Sequence, residues 1–301
     1  MELRRALDIL VLAVAVVNIS TASILVRLAG VHGFVAASWR LILGALLTLL
    51  LLVAAARLGL HRNPHLPSGK DLAFAFASGV ALALHFGLWM MSLFHLSVAL
   101  SVTIVDSYPA VLAVAGRLLF HERYTGLQLA GAALAMAGVA AIGFYSSRGA
   151  PAPPGGDPLL GSILAFAGMI AVAVYFTIGR GLRGRYTTLE YTLPVYASAA
   201  AVSSAITLLV GERLTGYEPL TYAYLALLAL LPMLGGHTLI NYALGRLTLL
   251  AATIPVLGEP VGAAILAWIV LGEPLGFNEA ALMAVTLLGI ALVLAGERKS
   301  G

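Results

Sequence analysis

The sequence contains no cysteine and a single glutamine, Gln128. The missing cysteine excludes disulfide frameworks, thiolate nucleophiles and cysteine-held metals. Together the two shortages suit a hot-adapted source, although lipid-facing sequence is poor in both residues for its own reasons. Charge is scarce as well. Only 10% of the residues are charged, against about a quarter in soluble domains, so an ordinary soluble chain is excluded. Nucleotide and enzyme motifs are missing too. No G-x-x-x-x-G-K-[ST] occurs, so there is no sign of an ATP site, and no G-x-S-x-G nucleophile turn is present. His121-Glu122 begins the metalloprotease pattern H-E-x-x-H, but Thr125 occupies the place of the second histidine. His61 and His65 have a metal-like spacing, with Pro64 between them in a loop; neither a metal nor any other cofactor is expected.

What is present is apolar sequence. Of the 301 residues 61% are hydrophobic, with a mean hydropathy of +1.00. Runs of about 20 apolar residues, the length that crosses a bilayer core as a helix, recur along the chain. The pattern predicts an all-α membrane protein of ten transmembrane helices. They fall near 6–28, 34–56, 71–93, 97–119, 125–145, 160–180, 188–210, 219–243, 247–271 and 277–296. Arg4 and Arg5 before the first run imitate a signal peptide, but the run continues past Asn18 to Leu28 without a clean small-residue cleavage site. A retained first helix is expected.

The stretch from Ser97 to Tyr145 returns, without gaps, from Thr248 to about Gly296. Pro109 matches Pro260 and Glu122 matches Glu273 at one offset (260 − 109 = 151; 273 − 122 = 151), as do Ala113/Ala264, Gly138/Gly289 and Ala140/Ala291. The expected organisation is a five-helix repeat over 1–145, a Pro/Gly linker over 146–159 and a second five-helix repeat over 160–301. Five is odd, so the second copy enters the membrane upside down. Lys and Arg crowd one set of loops (Arg57, Arg62, Lys70, Arg117, Arg123, Arg180, Arg183, Arg185 and Arg246 among them), which by the positive-inside rule puts both termini in the cytoplasm. The net charge of +4 is therefore a topology signal, and no nucleic-acid partner is expected.

Two motif copies carry a family resemblance: Pro109-Ala110-Val111 followed by His121-Glu122, and Glu259-Pro260-Val261-Gly262-Ala263-Ala264 followed by Leu271-Gly272-Glu273. With Trp39-Arg40-Leu41 in the second span, the chain resembles the EamA-type branch of the drug/metabolite transporter superfamily. His121 departs from the glycine usual before that glutamate. The resemblance implies export or exchange of small metabolites, often amino acids and related compounds.

The residues themselves point to candidates. A carboxylate in hydrocarbon is costly and marks a cavity or a partner. Asp106, three residues before Pro109, and Glu259, directly before Pro260, are the candidates for proton coupling or cavity charge. Each also has a structural reading, as a helix-locking carboxyl beside a proline-loosened turn. Thr103, Asp106 and Ser107 share one helical stripe. Arg40, about two helical turns inside the second span, either binds a substrate carboxylate, pairs with Asp106, or snorkels to the headgroups. His85/Trp89 and His237/Asn241 are i, i+4 pairs at equivalent depths of the third and eighth spans. Asn18, Tyr108 and Tyr175 complete the substrate-binding candidates. Gly131, Ala135 and Gly138 read as a close-packing surface.

The function expected is a secondary transporter of small polar metabolites, amino acids first, with a bilayer and a small-molecule substrate as its only required partners. It would work by alternating access around a midplane cavity, with proton coupling and oligomeric state left open. The alternatives are a membrane-embedded lipid-modifying or protease-like enzyme, or a carrier of nucleosides or drugs.

Overall fold

The computed structural model describes residues 2–61, 63–149, 153–272 and 275–297, the first four of these and 146–149 by backbone alone. Glu273, one partner of the repeat match, lies outside the described residues. Ten membrane-length helical segments are present: α1 (Ala6–Ala29), α2 (Gly33–Arg57), α3 (Gly69–Ser92), α4 (Val98–Leu119), α5 (Gly126–Tyr145), α6 (Pro158–Leu182), α7 (Thr188–Leu209), α8 (Pro219–Leu244), α9 (Leu249–Leu271) and α10 (Phe277–Gly296). The ten spans expected from hydropathy match them to within a few residues. Because successive segments alternate in direction, α1 and α10 bring the two termini to one end, here called the termini end. The two halves are inverted repeats.

The interruptions inside the segments have local causes. In α1 the helix breaks at Ser20–Thr21, where Ser20 Oγ donates to Val16 O (2.8 Å) and Thr21 Oγ1 to Asn18 O (2.7 Å); such back-bonding bends helices. In α4 the helix stops at Val105 and restarts at Tyr108. Pro109 has no N–H to offer the carbonyl four residues earlier, so the ladder opens there. Thr103, Asp106 and Ser107 therefore do not share one helical stripe as expected. Asp106 caps the first piece, Thr103 Oγ1 reaches Val139 O at 3.5 Å, and Ser107 bonds back to Ile104 O. Around Pro232, α8 widens into a π-helical turn, and α9 passes through a 3₁₀ turn at Ile254–Gly258. The start of α6 shows ordinary capping: Asp157 Oδ1 accepts from Leu159 N (2.9 Å) and Leu160 N (3.1 Å), with Pro158 in the first turn.

Small residues set the closest packing. A Cβ on Gly289 would lie 2.4 Å from Ala135 N and 2.7 Å from Gly131 O, and one on Gly138 would lie 2.4 Å from Thr286 Oγ1. The row Gly131, Ala135 and Gly138 on α5 is thus the surface against which α10 packs. Without a hydrophobic drive between helices in lipid, such backbone approach supplies the contact.

Candidate functional site

The charged side chains of the spans meet between the two halves. Arg40 stands seven residues inside α2 (40 − 33 = 7), is only 1% exposed, and holds its guanidinium carbon 3.9 Å from the centroid of the Phe86 ring. It does not snorkel: its position is interior. Nor does it pair with an acid, since among the described residues it is within ion-pair distance of neither Asp106 nor Glu259. Its Nε and Nη1 have no hydrogen-bond acceptor. Phe86 supplies a cation–π contact, which leaves the guanidinium fork free to receive something else.

Asp106, presented by the α4 break, is 3% exposed, and its Oδ2 has no donor. Glu259 comes from the other repeat and is 6% exposed. His85 Nδ1 lies 3.0 Å from Gly168 O, so the ring nitrogen is the donor there. The His85 ring stacks on Trp89, with centroids 6.2 Å apart and planes 7° apart. His237 lies 6.0 Å from His85, edge-on to Phe86 at 4.9 Å, and parallel to Phe176 at 6.1 Å. Tyr108 covers the far side of Phe176 at 5.4 Å. Trp89 Nε1 and His237 Nδ1 are also without partners.

In this conformation these groups line one narrow cavity with room for about one water molecule. Seven of the ten candidates line it: Arg40, His85, Trp89, Asp106, Tyr108, His237 and Glu259. Its apolar wall comes from both repeats: Ile19, Ala22, Val105, Val172, Ile240 and Val256. Three candidates lie elsewhere. Asn18 donates to Val14 O on its own helix and packs against Gly235. Asn241 donates to the Tyr175 hydroxyl and to His237 O (2.8 Å), so this pair braces the wall from behind. Thr21 and Thr177, near Asn18 and Tyr175, bond back onto their own helices.

A second constellation lies at the termini end and escaped the sequence reading. Among the described residues two ion pairs there join the halves, Glu122–Arg180 (2.7 Å) and Asp71–Arg185 (2.7 Å), together with a hydrogen bond between His61 Nε2 and Glu190 Oε1 (2.9 Å). Glu122 has both oxygens fully engaged. Its Oε1 accepts from Arg180 Nε at 2.9 Å as well as Nη2, and its Oε2 accepts from Leu249 N (2.8 Å) and the Tyr124 hydroxyl (3.1 Å). Burial, and then the neighbouring Glu122 carboxylate, push the Tyr124 hydroxyl pKa up, so it stays a donor. Thr125 and Gln128 add bonds to Gly296 O and Glu297, and Tyr186 donates to Asp71 at 2.8 Å. His61 and His65, the pair with metal-like spacing, are both engaged with Glu190, the second through its backbone N–H at 2.5 Å. At the opposite end the halves are tied by neutral groups, Trp39 Nε1 to Leu214 O (2.7 Å) and Asp157 N to His95 Nδ1 (3.1 Å).

A solved crystal structure superposes on 98% of this chain and 99% of its own, with a TM-score of 0.75 and 18% sequence identity. At that identity the likeness establishes the fold alone. No protein with a curated description matches the sequence. The family profile is decisive: with matches over residues 6–144 and again over 159–295, covering both halves of the site just described, the chain belongs to the EamA-like transporter family.

Proposed function

We propose that the protein is a secondary transporter of small zwitterionic metabolites, amino acids first, which it exports or equilibrates across the cell membrane by alternating access, with both termini in the cytoplasm. One observation carries the reading. A cavity between inverted repeats holds a buried cation with two unsatisfied N–H groups, facing a buried acid with an unsatisfied oxygen. Leaving such groups unpaired costs about 1–3 kcal/mol each, so the cavity is built for a ligand that brings both an acceptor and a donor. An α-amino acid does so with its carboxylate, toward Arg40 and Trp89 Nε1, and its ammonium, toward Asp106 and Glu259. The flat rings of His85, Trp89 and His237 suit an apolar or planar remainder.

Charge counting supports proton coupling. Arg40 faces two acids, so a fully ionised cavity carries one surplus negative charge, which is expensive away from water. A proton on Asp106 or Glu259 removes that surplus when the solute itself is neutral overall. The test is uptake of a panel of radiolabelled amino acids and nucleosides into proteoliposomes, with and without a pH gradient, for the unmodified protein and for Asp106→Asn. Saturable amino-acid uptake that loses its pH dependence in Asp106→Asn is expected. Uptake indifferent to both the gradient and the substitution would remove proton coupling and reduce Asp106 to a structural group. Saturable uptake of nucleosides alone would overturn the substrate class.

A further inference from the structure

Most of the polar ties described at the termini end bridge the two repeats, and Glu122 holds two of them with one carboxylate. It is buried, follows α4, and grips two elements of the other half: the end of α6 through Arg180 and the first N–H of α9 through Leu249. Arg180 Nη1 also reaches the last carbonyl of α8, Leu244 O, at 2.7 Å. One carboxylate therefore clamps the ends of α4, α6, α8 and α9, the segments whose inner residues line the cavity (Asp106, Val172, His237, Glu259). These segments cannot part at the termini end while the clamp holds.

We propose that Glu122 is the gating residue of the termini-side entrance. With Arg180 and the N-terminus of α9 it forms a latch that must release before the cavity opens to that side. This rests on the transporter reading, because only a protein that exposes its site alternately needs the latch to break. The other bridges follow as secondary straps. Asp71 and Glu190 hold the α2–α3 loop and the start of α3 to the α6–α7 corner, whereas Glu122 alone among the three reaches the segments carrying the two cavity acids. A latch of this kind is reversible at modest cost. Two guanidinium N–H groups meet one carboxylate oxygen, and the Arg180 side chain is partly exposed, so water can take over its side of the contact once the two separate.

The chain has no cysteine, so one introduced thiol reports access to the cavity without any substrate. Val172→Cys, on the cavity wall, is to be labelled with a membrane-impermeant thiol reagent applied to one face or the other of oriented vesicles. In that background Glu122→Gln should raise the labelling rate from the termini side tenfold or more and leave or lower the rate from the opposite side. Arg180→Lys, which keeps the charge but loses the two-pronged contact, should do the same in part. The exchange Glu122→Arg with Arg180→Glu, which restores the ion pair but not the bonds to Leu249 N and Leu244 O, should return the rate only in part. Thermal melting confirms that each variant is folded, and Arg180→Lys serves should Glu122→Gln fail to fold. An unchanged termini-side rate in folded variants would overturn the latch. An equal rise from both faces would overturn it too, since that signals loosened packing. Transport of no panel solute, with the labelling pattern as expected, would sink the substrate reading and leave the gate standing.

Discussion

Replacing Arg40 by methionine separates what the residue does for a ligand from what it does for the fold. The guanidinium is buried with Nε and Nη1 lacking protein acceptors and, among the described residues, with no acid within ion-pair distance. The fold therefore carries its desolvation without the usual return. Exchanging buried charge for a well-packed apolar side chain of similar length is often neutral or stabilising by about 1–4 kcal/mol, and methionine over Phe86 keeps a favourable sulfur–aromatic contact. Arg40→Met should accordingly melt at the same temperature as the parent or slightly above it. Solute affinity should behave in the opposite way. Removing one partner of a buried, hydrogen-bonded charge pair costs about 2–5 kcal/mol, a loss of roughly 30-fold to several thousand-fold in Kd. Arg40→Lys, which keeps the sign but not the fork, should fall between. Both quantities come from one apparatus: melting in detergent alone, and the upward shift of the melting curve on adding the solute. A variant that melts well below the parent yet still responds to solute would refute the assignment and make Arg40 a structural residue.

Three further substitutions test other parts of the reasoning. Gly289→Ala places a Cβ against backbone atoms of α5 at 2.4 and 2.7 Å, so α5 and α10 must separate; a loss of about 1–3 kcal/mol is expected, with Gly184→Ala, where nothing lies within 4 Å, as the neutral control in the same melt. Trp89→Phe keeps an aromatic face on His85 but deletes an indole N–H that has no acceptor among the protein groups. It should leave melting unchanged and weaken solute binding by roughly tenfold, the value of one hydrogen bond to a charged group. Leu257→Asp puts a carboxyl into the apolar cluster of Leu250, Ile254, Ile290 and Val293, where it has no partner; a penalty of several kcal/mol should remove most folded protein, whereas Leu257→Met should be recovered in near-normal yield.

The ten spans and the inverted repeat are legible in the sequence because lipid imposes a length and an apolarity that composition alone reveals. The charged part of the site is legible for the same reason: Arg40, Asp106 and Glu259 stand out because hydrocarbon makes them costly. Asn18 does not line the cavity because the chain bends just after it, at Ser20–Thr21, and no hydropathy signal reports a bend. Tyr175 and Asn241 are polar and buried, as cavity residues are, yet they bond each other behind the wall; pairing across 66 residues has no local signature. The apolar lining, Ile19 to Val256, cannot be told from lipid-facing sequence at all. Glu122 was visible as a repeated motif residue, but its bonds to Arg180 and Leu249 exist only once α4, α6 and α9 end at one level.

The repeat explains why each half brings an interrupted helix to the site, and its imperfection explains where the two acids are. Pro109 and Pro260 are mates, and each is preceded by an interrupted helix at the same register: Asp106–Ser107 in α4, and Ile254–Gly258 in α9 (254 − 151 = 103; 258 − 151 = 107). The break is a property of the unit. The chemistry placed on it is not. Asp106 has Leu257 as its mate, which is buried among apolar side chains, while Glu259 has Tyr108, which lines the cavity. Each half thus contributes one carboxyl, from non-equivalent positions, to a single cavity that also holds Arg40. Asp106 and Arg40 ride on the first half and Glu259 on the second. Any rotation of one half against the other therefore alters the separations of Glu259 from both of them, and Coulomb energy in a weakly screened interior varies steeply with separation. Under the alternating access proposed above, conformation and charge state would be linked by that geometry. A transporter with this layout needs no separate device to make the binding or loss of a proton favour one orientation of its halves over the other.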